Sequence, residues 1–447
     1  MRILFIQPPI QDFYNTKFRE YPLGLLYLAS SLRDKNKFEL ELLDARYIKK
    51  PKKIPLPKEL NYLNKFYTKE NGAFLNYKHF GMSDGDISEK IRTFNPDIIC
   101  INAMFTTYNS VLMEMVQIIK DISKNCRIIV GGYHATVSPD ALIASNSIDL
   151  VLRGEGEEIL EQAILSNNNK MIIDNNGEAF LVKDLNKLNF PARELLDPKK
   201  YRFNKKLYTM ILTSRGCPNH CIFCSVHSTA GHSYRKRDID SVLEEIDECI
   251  NKYGIQVFDF QDDNLLFEPD RIKKILEKII SKYGKRKLEL LASNGLNCSS
   301  IDLELLTLMK EAGFDKLDIS LATGEVPSRK SLSRPETIGH YEFVIQKAKE
   351  LGLKTTTYII IGIPEQPISE LNDTVEYLEG KKVLISPSVF YNVPGMPIYE
   401  KMKKYEYLDN DLARRSTAFN CRGVDFERED IFNIFQRIRL NNMSSQF

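Results

Sequence analysis

A chain of 447 residues allows two or three domains and a core large enough to need neither disulfide nor structural metal. Its formal net charge is only +2, with 62 basic against 60 acidic residues, which argues against general affinity for nucleic acid or anionic membrane. No apolar run approaches the roughly 20 residues of a membrane span. Met1–Ile6 reads as a first strand rather than a signal peptide, so the eight cysteines are expected in a reducing, cytoplasmic compartment.

Residues 1–165 alternate short apolar strands with helical patterns. The strands are Ile3–Ile6, Phe38–Leu43, Ile98–Asn102, Arg127–Val130 and Asp149–Leu152, and helical spacing spans Leu23–Leu32 and Val111–Ser123. Buried strands interleaved with helices imply a doubly wound, Rossmann-like or flavodoxin-like parallel sheet. The basic, proline-broken stretch Arg46–Lys58, with Lys49, Lys50, Lys52 and Lys53, reads as an exposed connector. Its alternative is a patch for an acidic or lipid-surface substrate, with peripheral membrane contact. Periodicity fades over residues 166–206, a linker in which Asn167–Asn169 and Asn175–Gly177 punctuate an expected hairpin.

A second α/β series runs over residues 207–387, with strands at Tyr208–Thr213, Val257–Phe260, Leu288–Leu291, Lys316–Ser320, Thr355–Ile361 and Val383–Ser386. Six strands are too few for a full barrel and predict a partial (β/α)6 one. Ser300 is a capping-type residue expected to open the helix that runs to Ala312. Residues 388–447 form a small, mixed C-terminal region expected to wall a substrate cavity, with Tyr391, Phe419 and Cys421 facing it and Cys421 as a catalytic residue.

The run Cys217-Pro-Asn-His-Cys221-Ile-Phe-Cys224 sits just past the first strand of that series, where α/β folds keep their active sites. Three thiolates leave a ligand set with one vacancy. An iron–sulfur cluster with one open iron would use it so. Zinc would accept the same thiolates plus one of His220, His227 and His232. Spacing alone leaves both readings open.

The Cys217-x3-Cys221-x2-Cys224 motif, with Phe223 before its third cysteine, resembles the signature of radical S-adenosylmethionine (SAM) enzymes. So do Phe260-Gln-Asp-Asp-Asn264, Ala292-Ser-Asn-Gly295, Leu306–Gly313, Ile359–Pro364 and Pro394-Gly-Met-Pro-Ile-Tyr399. The resemblance implies a [4Fe–4S] cluster on the three cysteines, whose open iron chelates the methionine end of SAM. An electron from a donor such as flavodoxin or ferredoxin would then release a 5′-deoxyadenosyl radical. By the same resemblance Asp262 and Asp263 surround the methionine end, Ser293 and Asn294 approach the ribose, and Phe223, Ser320 and Gly362 border the cofactor. Two departures are Ala322, where the family often has Glu, and Glu365-Gln-Pro after Pro364.

The first domain is similar to the cobalamin-binding domain fused to one class of these enzymes. Its matching segments are YPLGLLYLAS (21–30), GMSDGDI (81–87), NPDII (95–99), VGGYHAT (130–136), RGEGE (153–157) and FPARELLD (190–197). The resemblance implies a corrinoid at the strand ends. It would lie near Gln7, Pro8, Thr106, Thr107, Tyr108, Gly131, Gly132, Tyr133, His134, Gly154 and Glu155, with the threonines and the glycine pair close to its nucleotide tail. The Asp-x-His-x-x-Gly loop that supplies a lower imidazole elsewhere is absent. Cobalamin is therefore expected without a histidine ligand, and His134 as a local hydrogen-bonding residue. The implied reaction is methylation of an unactivated carbon in a small molecule, lipid or peptide, where no acidic proton permits base chemistry. Alternatives are radical cyclisation, ring contraction or rearrangement, and, outside enzymes, a zinc-stabilised binding protein.

Overall fold

The computed structural model describes all residues except 16–20, 34–36, 48–49, 69–75, 167–168, 335–336 and 445–447. Lys49 of the basic stretch, and Asn167 and Asn168 of the expected hairpin, lie outside the described residues.

Six strands form the first sheet: β1 (Arg2–Gln7), β2 (Glu39–Asp44), β3 (Ile98–Asn102), β4 (Arg127–Gly131), β5 (Leu150–Leu152) and β6 (Met171–Ile173). They are parallel and ordered β2-β1-β3-β4-β5-β6. Alternate residues feed opposite faces. Ile3, Phe5, Cys100 and Ile129 pack under α1 (Leu23–Arg33), while Leu4, Ile6, Ile101 and Val130 pack against α2 (Asp84–Phe94) and α3 (Asn109–Ile122). Burial on both faces is why these strands read as continuous apolar runs.

β6 departs from expectation. Met171–Ile173 extends the sheet in parallel beside β5 instead of forming a hairpin arm. Three residues are too few to show a period. The turn signal behind it is real but local, closing Asn175 against Glu178. Helix α2 was also unmarked by its apolar pattern; Ser83 caps it by accepting from the Asp86 amide, and it ends on left-handed Asn95 at φ 48°. In the basic stretch, Lys50, Lys52 and Lys53 are exposed, whereas Arg46 is buried and donates to the Pro8 carbonyl at 3.2 Å.

The second series forms β7 (Lys206–Ile211), β8 (Val257–Phe260), β9 (Glu289–Leu291), β10 (Lys316–Ala322), β11 (Lys354–Ile361) and β12 (Leu384–Val389). Two three-stranded parallel sets, β7-β8-β9 and β10-β11-β12, are joined by the bridges Leu290–Phe314 and Leu296–Ile319. The result is a partial barrel of six parallel strands, with α4 (Ile239–Tyr253), α5 (Pro269–Tyr283), α6 (Leu303–Ala312), α7 (Ile338–Glu350) and α8 (Ile368–Lys381) following the first five. Ser300 does not open α6. It ends a short 3-10 turn, and Asp302 caps the helix by accepting from the Leu305 amide at 2.7 Å. Among the described residues no helix is long and apolar enough to cross a membrane.

Candidate functional site

Past β7 the chain narrows to a neck before opening into the cysteine loop. Ser214 and Arg215 pair antiparallel with Lys236 and Arg235, closing residues 216–234 into one unit. Gly216 is at φ +82°, and a Cβ there would lie 2.3 Å from the Ser233 carbonyl oxygen, so only glycine passes the neck. The two aspartates after β8 brace this neck. Asp262 is buried and accepts from the Thr213 amide (3.1 Å), the Thr213 hydroxyl (2.7 Å) and the Ser214 hydroxyl (2.5 Å). Asp263 accepts from the Gly216 amide at 2.7 Å. Burial raises both carboxyls above their ordinary range, Asp263 to about 6. These aspartates therefore hold the cysteine loop in place, a role their segment did not announce.

Cys221 is buried, and Cys217 and Cys224 are half-buried. Burial pushes the Cys224 thiol up to about 11, so binding as thiolate releases a proton. Side-chain donors stand beside two of the sulfurs: Asn264 Nδ2 lies 3.6 Å from Cys217 Sγ, and Arg334 Nη1 lies 3.6 Å from Cys221 Sγ. His232 stacks between His220 and His227, with ring centroids 4.9 Å and 3.9 Å away. Among the described residues, no three His, Cys, Asp or Glu side chains gather as one metal ion requires. Each thiolate of a cluster binds its own iron, and three thiols on one loop with N–H donors beside two of them suit such a set.

A cavity of about 490 Å³ lies inside the barrel below this loop. Ser293, Asn294 and Ser320 line it at the strand ends, and Asp318, Lys316 and Tyr358 deeper in. Asp259 holds Ser293 through its amide (3.0 Å) and hydroxyl (2.6 Å) and accepts from the Tyr208 hydroxyl at 2.9 Å. Asn294 Nδ2 is spent on the Asp262 carbonyl at 3.0 Å. Gly362, at φ +80°, faces Ile431 of the C-terminal helix, 3.2 Å from where a Cβ would stand. Phe223 packs against an apolar cluster with Phe390, Ile398 and Cys421. Burial there pushes the Cys421 thiol up to about 12, which makes it a poor nucleophile. Cys421 is absent from the cavity lining, and Phe419 lines a second cavity at the lower end of the barrel.

In the first domain an apolar cleft of about 250 Å³ runs under α1, lined by Leu25, Tyr27, Cys100, Ile129, Gly131 and Gly132. Gly154, Glu155, Glu157 and Arg215 close its polar end. Gly132 is at φ +105°, and a Cβ there would meet Asn102 Oδ1 at 2.5 Å and the Ala103 carbonyl at 3.0 Å. Gly132→Ala is expected to cost at least ~1–3 kcal/mol of stability and to reduce corrinoid uptake, read as a lower Tm and a lower bound cobalamin content.

The other residues expected around a corrinoid serve as ties. The Gln7 and Asn102 amides meet at 2.8 Å at the switch point between β1 and β3. Thr106 Oγ1 meets His134 Nδ1 at 3.2 Å; His134 is buried, and burial holds its pKa below the ordinary imidazole value. Thr107 donates to the Leu412 carbonyl (3.1 Å) and accepts from Arg415 Nε (2.8 Å). The Tyr108 hydroxyl donates to Asp12 at 2.7 Å, and the Tyr133 hydroxyl to the Pro394 carbonyl at 2.6 Å. Glu155 is held bidentately by Arg235 at 2.6 and 2.8 Å. Sequence reasoning missed Arg415, which pairs with buried Asp12 at 3.4 Å and fastens the C-terminal region to the first domain across about 400 residues of chain.

A partial barrel with a three-cysteine loop past its first strand has the architecture of the radical SAM class, here behind a doubly wound domain. Comparison with known proteins agrees: the Radical SAM superfamily matches residues 211–378, and the B12 binding domain matches residues 72–164. An uncharacterized methyltransferase of Pyrococcus horikoshii is 24% identical over 424 residues, covering 90% of this chain and 83% of that one. The cytidylyl-2-hydroxyethylphosphonate methyltransferase of Streptomyces wedmorensis is 25% identical, covering 85% and 77%. The methyltransferase TsrM of Kitasatospora setae, solved with cobalamin and a [4Fe–4S] cluster, shares the fold at a TM-score of 0.65 and 14% identity, over 99% of this chain and 88% of that one. The chain belongs to the radical SAM enzymes that carry a cobalamin-binding domain. The cofactors of that family are a [4Fe–4S] cluster, SAM and cobalamin. The non-enzymatic zinc reading is thereby set aside.

Proposed function

We propose that this enzyme methylates an unactivated carbon of a small polar molecule, using cobalamin and SAM. One observation carries the reading: Arg215 lines the cleft of the first domain and stands two residues before Cys217, so the two cofactor sites share a wall. When bound, the cluster with SAM supplies a hydrogen-abstracting radical, and the corrinoid supplies a methyl group. Radical chemistry needs a dry site, and Ile222, Phe223, Leu332 and Phe390 cover the cysteine loop with apolar surface. The barrel cavity favours a polar substrate over a lipid. Its volume of about 490 Å³ lies toward the low end of ligand pockets and must hold both SAM and substrate. Hydroxyls and the Lys316–Asp318 ion pair face it, groups that a polar substrate can hydrogen-bond and a lipid would not use. The electron comes from a donor such as flavodoxin or ferredoxin.

The test needs no knowledge of the substrate. Protein purified anaerobically after growth with hydroxocobalamin is assayed for iron, sulfide and corrinoid, then incubated with SAM and dithionite. Stoichiometric cluster and corrinoid, with release of both 5′-deoxyadenosine and S-adenosylhomocysteine, is the expected result. Deoxyadenosine without S-adenosylhomocysteine would replace methyl transfer by cyclisation or rearrangement.

A further inference from the structure

The segment after β10 returns to lie along the cysteine loop. The Ile222 amide donates to the Leu332 carbonyl at 3.4 Å, and Leu332 joins Ile222 and Phe223 in one apolar cluster. This docking delivers Arg334 to the site from 113 residues away in sequence. Arg334 Nη1 points at Cys221 Sγ at 3.6 Å, while Nη2 donates to the Ser320 carbonyl at 2.7 Å. The carbonyl at the end of β10 fixes one edge of the guanidinium, so the other edge is held toward the sulfur. On the opposite side Asn264, from the braced loop after β8, aims its amide at Cys217 Sγ at 3.6 Å.

We propose that Arg334, assisted by Asn264, tunes the reduction potential of the cluster upward by donating N–H bonds to its thiolate ligands. The inference rests on the cofactor reading above. Reduction adds one electron to the cluster and its thiolates, and donors to sulfur stabilise the electron-rich state more than the oxidised one. No proton moves, because the guanidinium stays charged at any working pH. Arg334 contributes a full positive charge and Asn264 only a dipole, so Arg334 has the larger effect. Its function is to bring the cluster within reach of the electron donor.

The experiment is a potentiometric titration with dithionite, followed by electron paramagnetic resonance, on anaerobically reconstituted wild type, Arg334→Lys, Arg334→Gln and Asn264→Leu. SAM binding to each is measured in parallel. Arg334→Gln is expected to make reduction at least tenfold less favourable, a fall of about 59 mV for one electron. Arg334→Lys is expected to keep part of the potential, and Asn264→Leu to move it in the same direction by less. Unmoved potentials in iron-replete variants overturn the inference, and so does a loss confined to SAM affinity, which would make the guanidinium a SAM ligand. If Arg334→Gln fails to hold iron, Arg334→Lys and Asn264→Leu decide by the same criterion. Wild-type protein that takes up no iron and sulfide overturns the cofactor reading, and the inference with it.

Discussion

Glu245→Ala is expected to lower the free energy of unfolding by about 3–5 kcal/mol, the cost of stranding buried charge. Glu245 is fully buried in α4 between two arginines that are themselves buried, Arg193 and Arg237. Arg193 reaches it at 2.6 Å and also donates to the Thr209 hydroxyl (3.0 Å) and the Met210 carbonyl (2.8 Å) of β7. Arg237 pairs with its other oxygen and donates to the Leu212 carbonyl at 2.9 Å. The carboxylate thus ties the linker, α4 and the strand that leads into the cysteine loop. Without it two guanidiniums stay in the interior with one counter-charge gone. Urea denaturation read by circular dichroism would show a lower midpoint with little change in slope. A loss under ~1 kcal/mol would mean that water enters and solvates the arginines.

Cys221→Ala is expected to act in the opposite way, abolishing the cluster and all release of 5′-deoxyadenosine while leaving the fold nearly intact. The cysteine loop is framed by groups other than its thiols: the Asp262 and Asp263 bonds at the neck, and the Arg235–Glu155 pair behind it. Two remaining thiolates cannot hold three corners of a cluster. The expected readout is bound iron at background and deoxyadenosine at the detection limit, with a stability change of no more than ~1–2 kcal/mol from a small, partly collapsible cavity. Retention of a full cluster would show that another side chain replaces the thiolate. Cys421 is badly placed to do so, because it is turned into the apolar cluster beside Phe223.

Much of the frame was legible along the chain. Strands buried on both faces leave apolar runs of four to six residues that no loop imitates, as at Ile98–Asn102 and Val257–Phe260. Met171–Ile173 escaped because three residues carry no period and its pairing with β5 is supplied by the finished sheet. Ser300 looked like a cap by residue type alone, and the turn geometry passed that role to Asp302.

The sequence by itself determined the chemical class, because the three cysteines within eight residues are accompanied by the downstream segments Phe260–Asn264, Ala292–Gly295 and Ile359–Pro364. The need for glycine at 132 and 216 came from the fold, which brings Asn102 and Ala103 against the one and Ser233 against the other. Tertiary structure alone decided which polar groups meet a cofactor and which support the walls. Asp262 stands in a segment that looks like cofactor surroundings, yet its oxygens are occupied by Thr213 and Ser214 of the neck, 49 and 48 residues earlier. Arg334 and Arg415 had no local signal for the contacts they make with Cys221 and Thr107, which lie 113 and 308 residues away. A hydrogen bond between distant residues leaves no trace in the composition or periodicity of either neighbourhood. Only folding, which brings the donors to their acceptors and removes the competing water, assigns such side chains their work.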